Sequence, residues 1–267
     1  MNPTRIYAIF IRQAYLIRDN PTRLFQTFIW ITVDILLWGF VSKYLTAVAG
    51  SQFNFISVFL GAVLLWDFLI RVMQGITTSF FEDVWSRNFL NIFASPLSIS
   101  EYITGLVLAS VGTSVPGLIL MLLLAAAVFG FSILIYGAPL LLFLAVLFLF
   151  GIALGILGVS IVLRWGPSAE WFVWPIPAVL SPFVGVLYPL ATLPHWMQYI
   201  GQLLPPSYVF SGIRSIVDGG GVSVPMLAWG IVTSLAYIFL AYGVFVVVYR
   251  KAVRTGLIAR YSAENVN

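Results

Sequence analysis

The chain has 267 residues, 61% of them hydrophobic and only 8% charged. With a mean hydropathy of +1.04, this excludes a soluble globular domain and leaves little chain for a catalytic domain outside a bilayer. The net charge of +4 is too small to indicate a nucleic-acid partner, and without cysteine there is neither a disulfide framework nor thiolate chemistry. An all-α polytopic membrane protein is the class that remains, because only helices or closed barrels satisfy their backbone groups in lipid, and barrel strands would alternate in polarity.

Residues 1–23 precede any long apolar run and carry Arg5, Arg12, Arg18 and Arg23. Arg5, Arg12 and Asp19 fall at a heptad interval, with Ile6, Phe10, Ala14 and Ile17 on another side. That pattern predicts an amphipathic helix lying on the inner membrane surface, ended by Asn20-Pro21. No cleavable signal-peptide pattern is expected.

A helix needs about 20 apolar residues to cross the hydrocarbon core. Six segments meet this: Leu24–Leu45, Phe53–Phe80, Tyr102–Phe131, Pro139–Leu163, Glu170–Tyr188 and Val224–Tyr249. Arginine and lysine concentrate in the first segment, around Arg87 and Arg164, and at Arg250, Lys251, Arg254 and Arg260, while Lys43 and Arg214 fall on the opposite side. This asymmetry predicts that both termini are cytoplasmic, including the tail 250–267.

Between the second and third spans, residues 81–95 form a polar interval with helical patterning. Glu82, Asp83 and Arg87 are polar and Val84, Trp85, Phe89, Leu90 and Phe93 apolar, and the interval stops at Ser95-Pro96. It reads as a short cytoplasmic surface helix, a handle by which a partner outside the bilayer moves the spans.

The fourth span contains Gly151, Gly155 and Gly158, small residues that let helices approach closely; packing within the chain is favoured over a dimer seam. The fifth contains Pro175, Pro177, Pro182 and Gly185 and is expected to be kinked, as a packing solution or as a hinge. The stretch 194–217 is too apolar for a solvated loop. His195, Trp196, Tyr199 and Leu203 precede Pro205-Pro206, and Tyr208, Phe210 and Arg214 follow. Two short helices dipping back into the outer leaflet and broken at the proline pair are expected. Trp165, Trp171, Trp174 and Trp196 fit interfacial aromatic belts, although aromatic faces also stack on sugar rings.

Three ionisable residues lie inside spans. Asp67 and Arg71 are four apart on the second span and share a face, and Asp34 lies at similar depth in the first. Such groups are costly in a bilayer and persist when paired or facing a wet path. A structural ion pair is favoured over an Arg71 that attracts an anionic head group. Nucleotide chemistry is absent: no Gly-x-x-x-x-Gly-Lys-Ser/Thr loop occurs. The lone histidine, His195, rules out a histidine-rich metal site, and no serine has a plausible base.

The order of elements, together with Arg87-Asn88-Phe89-Leu90, Ala94-Ser95-Pro96-Leu97, Glu101-Tyr102-Ile103-Thr104-Gly105, Leu193-Pro194-His195-Trp196 and Pro205 to Arg214, resembles the permease subunits of type-2 ABC exporters. That resemblance implies a half-transporter in which two permease copies work with two separate ATP-binding cassette ATPase subunits that hold ATP and Mg. Glu82, Asp83, Trp85, Arg87, Asn88 and Phe89 would form the coupling helix against the ATPase. Asp34, Asp67 and Arg71 would line the translocation path or form an intramembrane ion pair. His195, Trp196, Pro205, Pro206, Tyr208 and Arg214 would form an outer gate. It further implies a lipidic, glycan or drug-like substrate and a bacterial cell membrane. Pro205 and Ser211 depart from many relatives, which carry Asn and a nearby acidic residue there. Competing classes are a secondary transporter or channel, and a non-transport assembly protein. An ATPase subunit that co-purifies discriminates the first reading from both.

Overall fold

The computed structural model describes residues 1–49, 56–86 and 89–256; the expected roles of Arg87 and Asn88, residues 53–55 of the second span and the tail from 257 lie outside these. All regular structure among the described residues is helical.

Helix α1, Pro3–Arg18, starts where the Asn2 side chain accepts the Thr4 backbone N–H and ends before Asn20, as the sequence predicts. α2 is Pro21–Ala49. α3, Gly61–Trp85, is entered through one π-helical turn, Ile56–Leu60. Then come α4, Phe89–Ala94, and α5, Ile99–Phe129. A reciprocal capping box of Ser98 and Glu101 opens α5, and left-handed Gly130 closes it. α6 is Pro139–Trp165, followed by α7, Glu170–Val173, and α8, Ile176–Val184. The chain finishes with α9, His195–Leu203, α10, Pro206–Val217, and α11, Val224–Arg254. Five of these stretches are long and apolar enough to cross a membrane: Ile29–Val48, Val58–Trp85, Ile99–Phe129, Pro139–Trp165 and Val224–Arg254.

The expected sixth crossing, Glu170–Tyr188, is not one long helix. It is the pair α7 and α8, bent at Trp174-Pro175, where Pro175 and Pro177 supply no N–H. From Glu170 to Val184 it rises about 22 Å at the helical rise, short of the hydrocarbon core. Gly185, at φ +69°, turns the chain away. Composition alone registered the apolar length and not the loss of helix beyond Gly185.

A second difference concerns the polar interval. α3 does not end near Phe80 but runs on to Trp85, so Glu82, Asp83 and Trp85 belong to the end of the spanning helix. Only Phe89–Ala94 forms a separate short helix. Hydropathy ends a span at its first charges, whereas a helix continues wherever those charges find partners.

The core is built around α6, which packs on both α3 and α11. A Cβ on Gly151 would lie 2.9 Å from Val72 Cβ, and one on Gly155 equally close to Ile76 Cβ. Gly158 meets Thr77 and Val173. The glycine stripe is therefore the seam on which α3 lies, as the intramolecular reading predicts. α11 runs parallel to α6, with the Ser234 hydroxyl donating to the Val146 carbonyl at 3.3 Å.

Candidate functional site

Three polar centres stand at three depths: at the α1 end of the bundle, at mid-span, and at the α9–α10 end.

At the α1 end, Asp83 is fully buried. The Arg12 guanidinium donates to Oδ1, and the Tyr102 hydroxyl donates to Oδ2 at 2.7 Å. One carboxylate therefore ties α1, α3 and α5 together. Burial works against the charge on Arg12, but the hydrogen bond and charge of Asp83 outweigh it and raise the guanidinium pKa. Beside this centre, Glu101 accepts the backbone N–H of Asn2 at 2.6 Å and of Ser98 at 2.9 Å, with Arg5 at 3.6 Å. Gln13, also fully buried, donates to the Ser79 carbonyl at 3.4 Å. Ile9 fills the space left by Gly105. Arg5 and Arg12 of α1 thus reach protein carboxylates, while Arg18, Tyr7, Tyr15 and Leu16 are exposed.

Of the residues expected on a coupling helix, Glu82, Asp83 and Trp85 sit on the last turn of α3. Asp83 is withdrawn into the bundle, and Trp85 is 49% exposed. Phe89 opens α4. A groove between α1 and α4 is lined by Arg12, Leu16, Glu82, Trp85, Ser86 and Asn91. Trp85 is also an electrostatic neighbour of Glu170 of α7, and Phe81 packs edge-on against Trp174 at 6.1 Å. The end of α3 is therefore in contact with the proline-bent segment as well.

At mid-span, Arg71 Nε donates to Asp67 Oδ2 at 2.8 Å, the expected i,i+4 pair. Asp34 is an electrostatic neighbour of both residues. The Arg71 stem runs over Gly117 of α5, where a Cβ would stand 3.1 Å from Arg71 Cδ. The structure thus brings the three predicted residues together at the junction of α2, α3 and α5.

At the opposite end, α9 and α10 are the two short helices expected, separated at Pro205-Pro206. His195 and Trp196 are exposed, Pro205 and Pro206 buried and Tyr208 half-buried. Arg214 acts as a cap: Nη2 donates to the carbonyls of Gly185 and, at 3.0 Å, Val186, and Nη1 to Phe210 at 3.1 Å. It satisfies backbone oxygens where α8 stops. The hydroxyls of Tyr208 and Tyr237 donate to the Gln202 and Leu203 carbonyls at 2.6 and 3.3 Å, holding the end of α9.

Reasoning from sequence identified Asp83 but missed Arg12 and Tyr102 as its partners, and Glu101 as a second polar anchor at the α1 end. The available signal was that Glu101 and Tyr102 stand at the start of the third apolar run and Arg12 on the N-terminal helix expected at the same membrane surface.

The candidate groups contain no set of three or more metal-ligating side chains among the described residues. Their polar contacts join helices: Asp83 ties α1, α3 and α5, and Arg214 joins α10 to the end of α8. No curated protein matches the chain. A family model described as ABC-2 type transporter matches residues 4–217, from α1 to the end of α10. A match over that much of the chain, on a multi-pass helical architecture, places it plainly: this chain belongs to the ABC-2 type transporter family.

Proposed function

We propose that this protein is the permease subunit of an ATP-driven exporter in a bacterial cell membrane. Two copies work with two separate ATPase subunits, which bind ATP and Mg. The observation that carries this reading is the end of α3: the last turn of a spanning helix, held by Asp83, Arg12 and Tyr102, is succeeded by a separate short helix, α4, with Asn91 exposed. Positive charge supports a cytoplasmic location for that end.

A push on α4 reaches α3 directly. It reaches the proline-bent α7–α8 segment through Trp85–Glu170 and Phe81–Trp174. α1, fastened to the same base, braces α3 and α5 so that the helices tilt as bodies. α9 and α10 dip into the outer leaflet as a gate whose inner edge is capped by Arg214. The path between the two copies opens outward when the ATPase closes, because nucleotide binding favours one of two arrangements. The substrate is lipidic, glycan or drug-like.

The test is co-purification of the chain with its ATPase subunit, followed by Trp85→Ala in the reconstituted complex. The reading expects assembly in equal numbers and ATP hydrolysis that no longer drives transport in the variant. A chain that transports without any ATPase would establish the secondary-transporter alternative instead.

A further inference from the structure

The mid-span cluster has more negative than positive partners. Arg71 is hydrogen-bonded to Asp67, and the second carboxylate, Asp34 of α2, is an electrostatic neighbour of the same guanidinium. No other Asp, Glu, Lys or Arg lies between residues 24 and 42 of α2, 56 and 81 of α3, or 102 and 129 of α5. At the helical rise, Asp34 lies about 20 Å along α2, and Arg71 about 21 Å before the end of α3. All three groups are therefore near the middle of the bilayer, where an uncompensated charge is costly and functional.

Two independent features point to a ligand. The Ser114 side chain is fully buried and its hydroxyl has no hydrogen-bond partner. Ser110, Ser114 and Gly117 share one face of α5; Ser110 meets Gly75 of α3, and Gly117 meets Arg71. Ser114 therefore faces the turn of α3 that carries Arg71, leaving an unused hydroxyl inside the cluster. Secondly, Asp34 is flanked one turn away on each side by tryptophan. Trp30 is 58% exposed and Trp38 is packed on the core. The three share a face at the edge of the buried side of α2, whose Ile31 and Ile35 are buried. A carboxylate between two indole rings is suited to a cation, by charge and by attraction to the ring faces.

We infer that the cluster of Asp34, Asp67 and Arg71, with Trp30, Trp38 and Ser114, is a cation site, and that the transported molecule is an amphiphile bearing one positive charge. Asp67 holds Arg71 in place, Asp34 supplies the free charge, and the tryptophans receive the apolar body. An anionic head group is disfavoured, since it would meet two carboxylates for one guanidinium. The inference deepens the permease reading and rests on it for the word transported.

The test uses the full chain in lipid nanodiscs and two probes of matched size and opposite charge, tetraphenylphosphonium and tetraphenylborate. Saturable binding is read against empty nanodiscs. Tetraphenylphosphonium is expected to bind saturably and tetraphenylborate not. Asp34→Asn should weaken phosphonium binding about tenfold, the loss of one partly desolvated charge contact. Trp30→Leu, on the open side and safe for folding, should weaken it about threefold. Equal or tighter binding of tetraphenylborate, or phosphonium binding unchanged in both variants, overturns the inference. The assay needs no ATPase, so a chain that binds the cation but captures no ATPase subunit refutes the permease reading alone.

Discussion

Asp67 and Asp83 stand on the same helix, α3, yet their surroundings differ in kind. Asp83 is sealed: both oxygens are taken, by Arg12 and Tyr102, and none of it is exposed. Asp67 is paired with Arg71, but both side chains retain some exposure, 18% and 13%, and a further carboxylate stands nearby. A closed polar network fixes helices relative to one another; an open one leaves a charge for something else to meet. In the function proposed above, the first would serve the base on which a partner pushes, and the second the path.

The largest expected effect comes from opening the closed network. Asp83→Ala leaves a half-buried guanidinium and the buried Tyr102 hydroxyl without their carboxylate and should cost about 3–5 kcal/mol, read as a lowered unfolding midpoint of the purified chain. Replacing both partners, Asp83→Leu with Arg12→Met, should recover most of that loss. If the double variant is as unstable as the single one, the network is more than a matched ion pair.

Arg214→Gln tests a different closure, at the other end. It removes charged hydrogen bonds to the carbonyls beyond α8 and should cost about 1.5–3 kcal/mol. Its proteolysis pattern should change near Gly185 before the rest of the chain loosens. Gly155→Val is expected to cost about 1–3 kcal/mol by pressing on Ile76, with no change in either polar centre. A neutral outcome would mean that α3 and α6 are not in close contact.

The smallest effect should come from the open pair. Asp67→Asn together with Arg71→Gln keeps polar groups of similar size, and should stay within about 1 kcal/mol of the parent in stability, as intramembrane hydrogen bonds average little more than half that. Each single variant should be worse than the double. A double variant as damaged as Asp83→Ala would erase the distinction between the two sites.

Much of the fold was legible in sequence because apolar length is a strong signal. The limits of α2, α5, α6 and α11 fall within a few residues of the expected spans, and Asn20-Pro21 and Pro205-Pro206 divide helices where proline chemistry requires. The i,i+4 pair of Asp67 and Arg71 was likewise a matter of spacing. The rest depended on contacts distant in sequence. The extension of α3 through Asp83 requires Arg12 and Tyr102 to be at hand, and no local pattern announces them. The failure of Glu170–Tyr188 to form one span depends on Gly185 turning and on Arg214 satisfying the carbonyls left behind. The pairing of Arg5 and Arg12 of α1 with protein carboxylates departs from the usual reading of an amphipathic helix, in which the charged side faces solvent.

In the function proposed above, a separate ATPase drives the permease at its α4 end. The sequence has no cysteine, so a single one introduced at Asn91, which is exposed on α4, gives an unambiguous probe. A second variant carries its only cysteine at Gln202, at the end of α9. Both are treated with a photoactivatable crosslinker in membranes containing the ATPase subunit. The account predicts a permease–ATPase crosslink from position 91, altered in yield when nucleotide is trapped, and none from position 202. No crosslink from position 91 in an assembled, transporting complex would contradict it.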